Sequence, residues 1–115
     1  MSPEVTVLMS VYNGKKYIRG SIESILNQTY SDFEFLIIDD GSTDSSVDIT
    51  KSYDDDRIRL IINQKNLGQS ATLNKGIDLA VGKYIARMDQ DDVSFARRLQ
   101  RQVQFLKKNL TLDLY

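Results

Sequence analysis

The chain has 115 residues, 41% of them apolar and 27% charged, which suits one domain with a packed core and excludes wholesale disorder. Fifteen basic against sixteen acidic side chains leave a net charge of −1, so no basic field exists for nucleic-acid binding. Cysteine and histidine are absent, which excludes disulfides, thiolate zinc sites, cysteine nucleophiles and every Ser-His-Asp arrangement; chemistry must run on carboxylates, backbone amides, Lys, Arg, Tyr or a borrowed hard cation.

In chain order, Val5-Thr6-Val7-Leu8-Met9 is a β-branched apolar run that reads as a strand buried on both faces. Asn13-Gly14 breaks it. Between Lys15 and Gln28, Ile18, Ile22, Ile25 and Leu26 mark one face of a helix. Gln28-Thr29-Tyr30 reads as a helix stop and core anchor, and Glu34 as a solvent-facing or Arg/Lys-paired residue. A second buried strand, Phe33 to Ile38, stops at Asp39-Asp40-Gly41-Ser42. Ser42 or Thr43 is expected to cap a short helix with Val47 and Ile49 inward. Asp54-Asp55-Asp56 is a solvated turn, and Ile58 to Ile62 a third strand carrying Arg59. After the loop Asn66-Leu67-Gly68, the spacing of Leu73, Ile77, Ala80 and Val81 predicts a helix ended by Gly82. Lys83 to Met88 is a fourth strand running into Asp89-Gln90-Asp91-Asp92. Phe95, Leu99, Val103, Leu106 and Leu110 stripe a final helix.

Strands alternating with helices predict an α/β fold: a Rossmann-like three-layer sandwich with a parallel sheet of order 3-2-1-4 and helices on both faces. No linker or repeat divides it, so residues 1–115 form a single domain. No apolar run approaches the ~20 residues that cross a bilayer. Met1-Ser2-Pro3-Glu4 lacks a basic segment leading into an apolar signal core. The expectation is a soluble, cytoplasmic domain.

Ligands of open parallel sheets bind beyond the carboxyl ends of the strands, where strand order reverses. Ser10-Val11-Tyr12-Asn13, Asp39-Asp40 and Asp89-Gln90-Asp91-Asp92 all follow apolar strands and converge on that edge. Gathered carboxylates repel one another, so either their pKa values rise or a cation binds. Mg²⁺ or Mn²⁺ prefers oxygen ligands and commonly sits between one or two carboxylates and a diphosphate. Asp89 and Asp91 suit that task, whereas an EF-hand fits poorly because Ser94 stands where its Gly is required. Arg97 and Arg98 could equally meet a phosphate or form a solvated helix face.

The run Val5 to Asn13, with Ser24-Ile25-Leu26-Asn27-Gln28-Thr29-Tyr30, Asp32-Phe33-Glu34, Asp39-Asp40-Gly41-Ser42-Thr43-Asp44, Asn66-Leu67-Gly68 and Asp89-Gln90-Asp91-Asp92, resembles family 2 glycosyltransferases of the GT-A fold. The resemblance extends from about residue 4 to 110, with the motifs in the family's order. It implies an inverting transferase that uses a nucleotide-diphosphate sugar, usually UDP-linked, with Mn²⁺ or Mg²⁺, and passes the sugar to a glycan or lipid-linked acceptor in cell-wall or polysaccharide synthesis. It also implies that Ser10, Tyr12 and Asn13 lie near the base, and that Asp40 bonds uracil with Asp39 beside it. Gln69 and Asn74 would lie near the nucleotide or donor sugar. Asp89 and Asp91 would be the metal motif, with Asp92 adjacent and able to share either role.

Two departures stand out. Ala96 occupies a position where the family often has Pro. The chain also stops at Leu112-Asp113-Leu114-Tyr115, before the half of the family fold that carries the acceptor site and the general base. The expectation is therefore a donor-binding half whose base lies beyond Tyr115, inactive alone, from a parent peripheral at the inner membrane face. Its open sheet edge invites self-association. The alternative is a non-enzymatic receiver-like signalling module or metal/nucleotide binder. A receiver would place its acidic pair after the first strand and an Asp after the third.

Overall fold

The computed structural model describes residues 2–113, with side chains for 2–108. Eight elements alternate: β1 (Val5–Val11), α1 (Ile18–Leu26), β2 (Phe33–Asp39), α2 (Ser46–Lys51), β3 (Ile58–Ile62), α3 (Gln69–Leu79), β4 (Tyr84–Met88) and α4 (Arg98–Asp113). The four strands form one parallel sheet of order β3-β2-β1-β4, as expected. The chain leaves β1 toward β2 and β3, then returns to the other side of β1 as β4. The order therefore reverses at the β1/β4 boundary, and this splays the following loops apart into a crevice.

The central strands explain the unbroken apolar runs. All seven residues of β2 are buried, because helices cover both of its faces. On one face, Val5, Val7, Met9, Phe35 and Ile37 pack with Ile18, Ile22 and Ile25 of α1, Ile49 of α2, and Leu99 and Val103 of α4. On the other, Leu8, Leu36 and Ile38 meet Leu73 and Leu79 of α3. Gln28 anchors two elements at once. Its amide nitrogen donates to the Ser24 and Phe95 carbonyls at 3.0 and 2.7 Å, and its oxygen accepts the Leu99 N–H at the start of α4.

The structure corrects several sequence expectations. In α3 the buried residues are Thr72 and Gly76, while Ile77 and Val81 are exposed. The cause is Gly76: a Cβ there would lie 2.3 Å from Leu8 Cδ1, so the helix seats itself on the sheet through a missing side chain. The helix ends at Leu79. Gly82 instead passes against β1, its N–H donating to Thr6 Oγ1 at 2.9 Å. Neither Ser42 nor Thr43 caps α2, which starts at Ser46; the Ser46 N–H is met by Asp44 Oδ1 at 2.9 Å. Phe95 precedes α4 and is 90% exposed. The last member of that stripe, Leu110, lies outside the residues whose side chains are described. Of the two expectations for Glu34 the pairing with a basic residue holds, through Arg59, and the solvent-facing one does not, since Glu34 is buried. It accepts bonds from Thr6 Oγ1, the Val81 N–H and Arg59, at 2.6, 2.9 and 3.4 Å. No helix among the described residues is long and apolar enough to cross a membrane.

Candidate functional site

The loop after β1 is built from the inside. Asn13 adopts a left-handed φ of 49°, a conformation that Asn tolerates better than most residues. Its Oδ1 accepts the Thr43 and Asp44 N–H groups at 2.8 and 3.3 Å, and its own N–H donates to Ser42 Oγ at 2.9 Å. Asp39 holds the far side of this frame. Its two oxygens accept the Ser42 N–H and hydroxyl at 2.8 and 2.7 Å. Asn13 and Asp39 thus splice the β1 and β2 loops together.

Asp40 faces the other way. Its Oδ1 accepts from Asn63 Nδ2 and the Leu67 N–H at 3.0 and 2.8 Å, and its Oδ2 accepts the Gly68 N–H at 3.0 Å. Burial alone would raise its pKa. The bonds from Leu67, Asn63, Thr72 and Gly68 outweigh that and hold the carboxyl below its ordinary value. Oδ1 takes two of these bonds and Oδ2 takes that of Gly68, so Oδ2 is the less crowded of the two oxygens.

At the end of β4 the situation reverses. Asp89, Asp91 and Asp92 are exposed and can each offer an oxygen within 4.8 Å of the others. Asp92 Oδ2 accepts the Asp89 N–H at 2.9 Å, which folds the turn. None of the three forms a salt bridge with Lys or Arg among the described residues. Arg98 donates instead to the Arg87 carbonyl and Ser94 Oγ, at 2.9 and 3.1 Å. An exposed all-oxygen donor set of this kind fits a hard divalent cation such as Mg²⁺ or Mn²⁺.

A cleft of about 410 Å³ joins these pieces, lined by Ser10, Tyr12, Asp40, Asn66, Gly68, Gln69, Asp89, Gln90 and Asp91. The strand ends thus bring Ser10, Tyr12, Asp40, Gln69, Asp89 and Asp91 together. Asn13 and Asp39 stand behind the cleft in the loop frame, Asn74 is exposed on α3 outside it, and Asp92 borders it through the carboxylate cluster. Asn66, Gly68 and Gln90 also line it; their motifs carry the family resemblance, but no site role was expected of them. The signal was their place in the loops after β3 and β4. A second groove of about 600 Å³ runs between β4 and α4 over Val5, Tyr84, Ala86, Val103 and Leu106; none of the cleft carboxylates lines it.

The sequence matches the family described as Glycosyl transferase family 2 over residues 6–113. EpsE of Bacillus subtilis (strain 168) is 47% identical over 110 residues, a match that covers 93% of this chain and 40% of that protein. The uncharacterized glycosyltransferase MJ1057 of Methanocaldococcus jannaschii is 43% identical over 116 residues, covering 97% of this chain and 40% of that protein. The chain therefore spans about 40% of the length of these relatives. Among solved structures, S. aureus TarS 1-349 in complex with UDP-GlcNAc superposes with a TM-score of 0.87 at 25% identity, over 95% of this chain and 32% of that one. The mannosyltransferase PcManGT from Pyrobaculum calidifontis, in complex with GDP-Man and Mn²⁺, gives a TM-score of 0.82 at 26% identity, over 92% of this chain and 33% of that one.

Proposed function

The chain belongs to glycosyl transferase family 2, and from that premise we propose that it is the donor-binding part of an inverting transferase, holding a UDP-linked sugar and a divalent cation in the cleft between β1 and β4. The observation that carries this reading is the single cleft shared by Tyr12, Asp40, Gln69, Asp89 and Asp91, which come from four separate loops and helix starts. Relatives of the same fold bound to UDP-GlcNAc and to GDP-Man with Mn²⁺ support a nucleotide-sugar ligand.

Each residue has a chemical task in this account. Asp40, which lines the cleft, turns Oδ2 toward an N–H of the base. The half-exposed Tyr12 ring gives that base a flat wall. Ser10 and Gln69 supply hydroxyl and amide contacts toward ribose and donor. Asp89 and Asp91 would hold Mn²⁺ or Mg²⁺, with Asp92 fixing the turn and adding charge. When bound, the cation would neutralise charge on the diphosphate leaving group. Asn13 and Asp39 keep the loop frame in place, and Asn74 borders the donor side only from outside the lining.

An inverting displacement also needs a base within hydrogen-bond reach of the acceptor hydroxyl. In this reading the base and the glycan or lipid-linked acceptor site belong to the part of the relatives' length that this chain does not span, and residues 1–115 alone bind donor without efficient transfer. A lipid-linked acceptor would bring such a transferase to the inner membrane face. The outer edge of β4 pairs with no other strand among the described residues, which supports association of copies along it; light scattering showing a clean monomer at high concentration would count against that part. Calorimetry tests the core of the proposal. UDP should bind in the presence of Mn²⁺, and Asp40→Ala should abolish the heat; an absence of heat with wild-type protein would overturn the site assignment.

A further inference from the structure

The β1–β4 ladder ends in register at Met9 and Met88. Beyond it, among the described residues, no strand pairing joins the loop that carries Tyr12 to the loop that carries the cleft's exposed carboxylates. One side chain bridges the gap. Gln90 Oε1 accepts the Tyr12 N–H at 2.8 Å, and Gln90 Nε2 donates to the Tyr12 carbonyl at 3.2 Å. A primary amide has the donor and acceptor to satisfy one residue's backbone from both sides, so this side chain substitutes for the missing rung of the sheet. The Gln90 backbone is held as well, its carbonyl accepting the Ser21 hydroxyl of α1. Room for the carboxamide comes from Gly14, where a Cβ would fall 2.7 Å from Gln90 Oε1.

We propose that Gln90 is a positioning residue, a two-pronged latch that sets the separation between the Tyr12 wall and the Asp89–Asp91 carboxylates. The inference rests on the nucleotide-and-cation reading above. A nucleoside diphosphate that spans from the Tyr12 wall to the carboxylates requires that separation to be fixed before it binds. Without the latch, each loop keeps its own anchors, Asn13 on one side and the Asp92–Asp89 turn on the other, but the two no longer move as one body. Folding would survive; the joint grip would not.

Amide-resolved NMR tests this on the whole chain. In wild-type protein the Tyr12 N–H should be protected from exchange, and Mg²⁺ alone should shift the Tyr12 resonance along with those of residues 89–92. Gln90→Ala should speed Tyr12 exchange and remove the Mg²⁺ response at Tyr12 while keeping it at 89–92. It should also weaken UDP binding about tenfold in Mg²⁺, the scale of one or two ordinary hydrogen bonds, with little change in melting temperature. Gly14→Ala should displace the carboxamide and reproduce these effects, and the double variant should be no worse than either single one. Wild-type Tyr12 exchange in both variants would overturn the proposal. Faster exchange with unchanged UDP affinity and an unchanged Mg²⁺ response at Tyr12 would equally overturn it, leaving Gln90 a loop staple. If wild-type protein binds no UDP, the functional reading fails separately; loss of the Tyr12 response to Mg²⁺ in Gln90→Ala would still uphold the latch, and its retention would overturn it.

Discussion

At the end of β2, Asp39 and Asp40 are 2% and 3% exposed and accept hydrogen bonds from Ser42, Asn63, Leu67 and Gly68. At the end of β4, Asp89, Asp91 and Asp92 are exposed, and among the described residues their carboxylates accept a single hydrogen bond, from the Asp89 N–H to Asp92. Both clusters read alike as letters. The first has its charge answered by the protein's own donors and works as a joint between loops. The second has charge that the fold leaves to solvent or to a cation. The share of acceptor positions met by the protein's own donors, rather than the count of acidic residues, separates carboxylates that frame the cleft from those left open to a cation.

The contrast is open to attack at several strengths. The largest effect should come from Asp40→Ala, which strips the acceptor from Leu67, Gly68 and Asn63 and should cost about 2–4 kcal/mol in urea unfolding. Asp91→Ala, by comparison, should stay within about 0.5 kcal/mol of wild type. Equal losses at the two positions would erase the distinction. Acid sharpens the same point. Asp40 and Asp44 both have pKa values held below the ordinary carboxyl value, since their hydrogen bonds outweigh the upward push of burial. The stability they contribute is present above pH ~4 and is lost as pH falls through their lowered values. Asp40→Asn should therefore flatten the acid limb of a stability-versus-pH curve.

Next in size is the response to ligand. Mn²⁺ with UDP at about a hundred times its dissociation constant should stabilise wild-type protein by about 2.7 kcal/mol in thermal melts, and Asp91→Asn should remove most of that gain. Ser42→Ala comes next. It takes a donor from Asp39 and an acceptor from the Asn13 N–H, and should cost about 1–2 kcal/mol without altering the cation dependence. The smallest effect belongs to a third acidic turn. Asp55 pairs with Arg57 at 2.9 Å at a partly exposed site, and Asp55→Ala should cost less than about 1 kcal/mol in the same melts.

Much of the architecture was legible because the central strands are buried on both faces and therefore spell unbroken apolar runs, as Phe33 to Ile38 does. The placement of acidic groups at strand ends followed from the parallel sheet. What escaped was set by contacts between residues distant in the chain. Gly76 is buried because Leu8 lies under it, so the inward face of α3 is written in Thr and Gly, and Ile77 misleads the periodicity. Phe95 lies just N-terminal to α4, outside its helical spacing. The framing bonds of Asn13 and Asp39 were illegible because a sequence lists donors and acceptors without their partners, and only the fold shows Ser42, Thr43 and Asp44 reaching back to them. Gln90 was hidden by its neighbours: between two aspartates it reads as a spacer.

The most direct test of the distinction between the two clusters is Mn²⁺ binding followed by electron paramagnetic resonance, with UDP present, in wild-type protein, Asp91→Asn and Ser42→Ala. The account predicts that wild-type protein and Ser42→Ala quench the free-ion signal at stoichiometric metal, while Asp91→Asn leaves it largely intact. Full quenching by Asp91→Asn would mean the ion sits elsewhere, and the division of labour between the β2 and β4 carboxylates would be wrong.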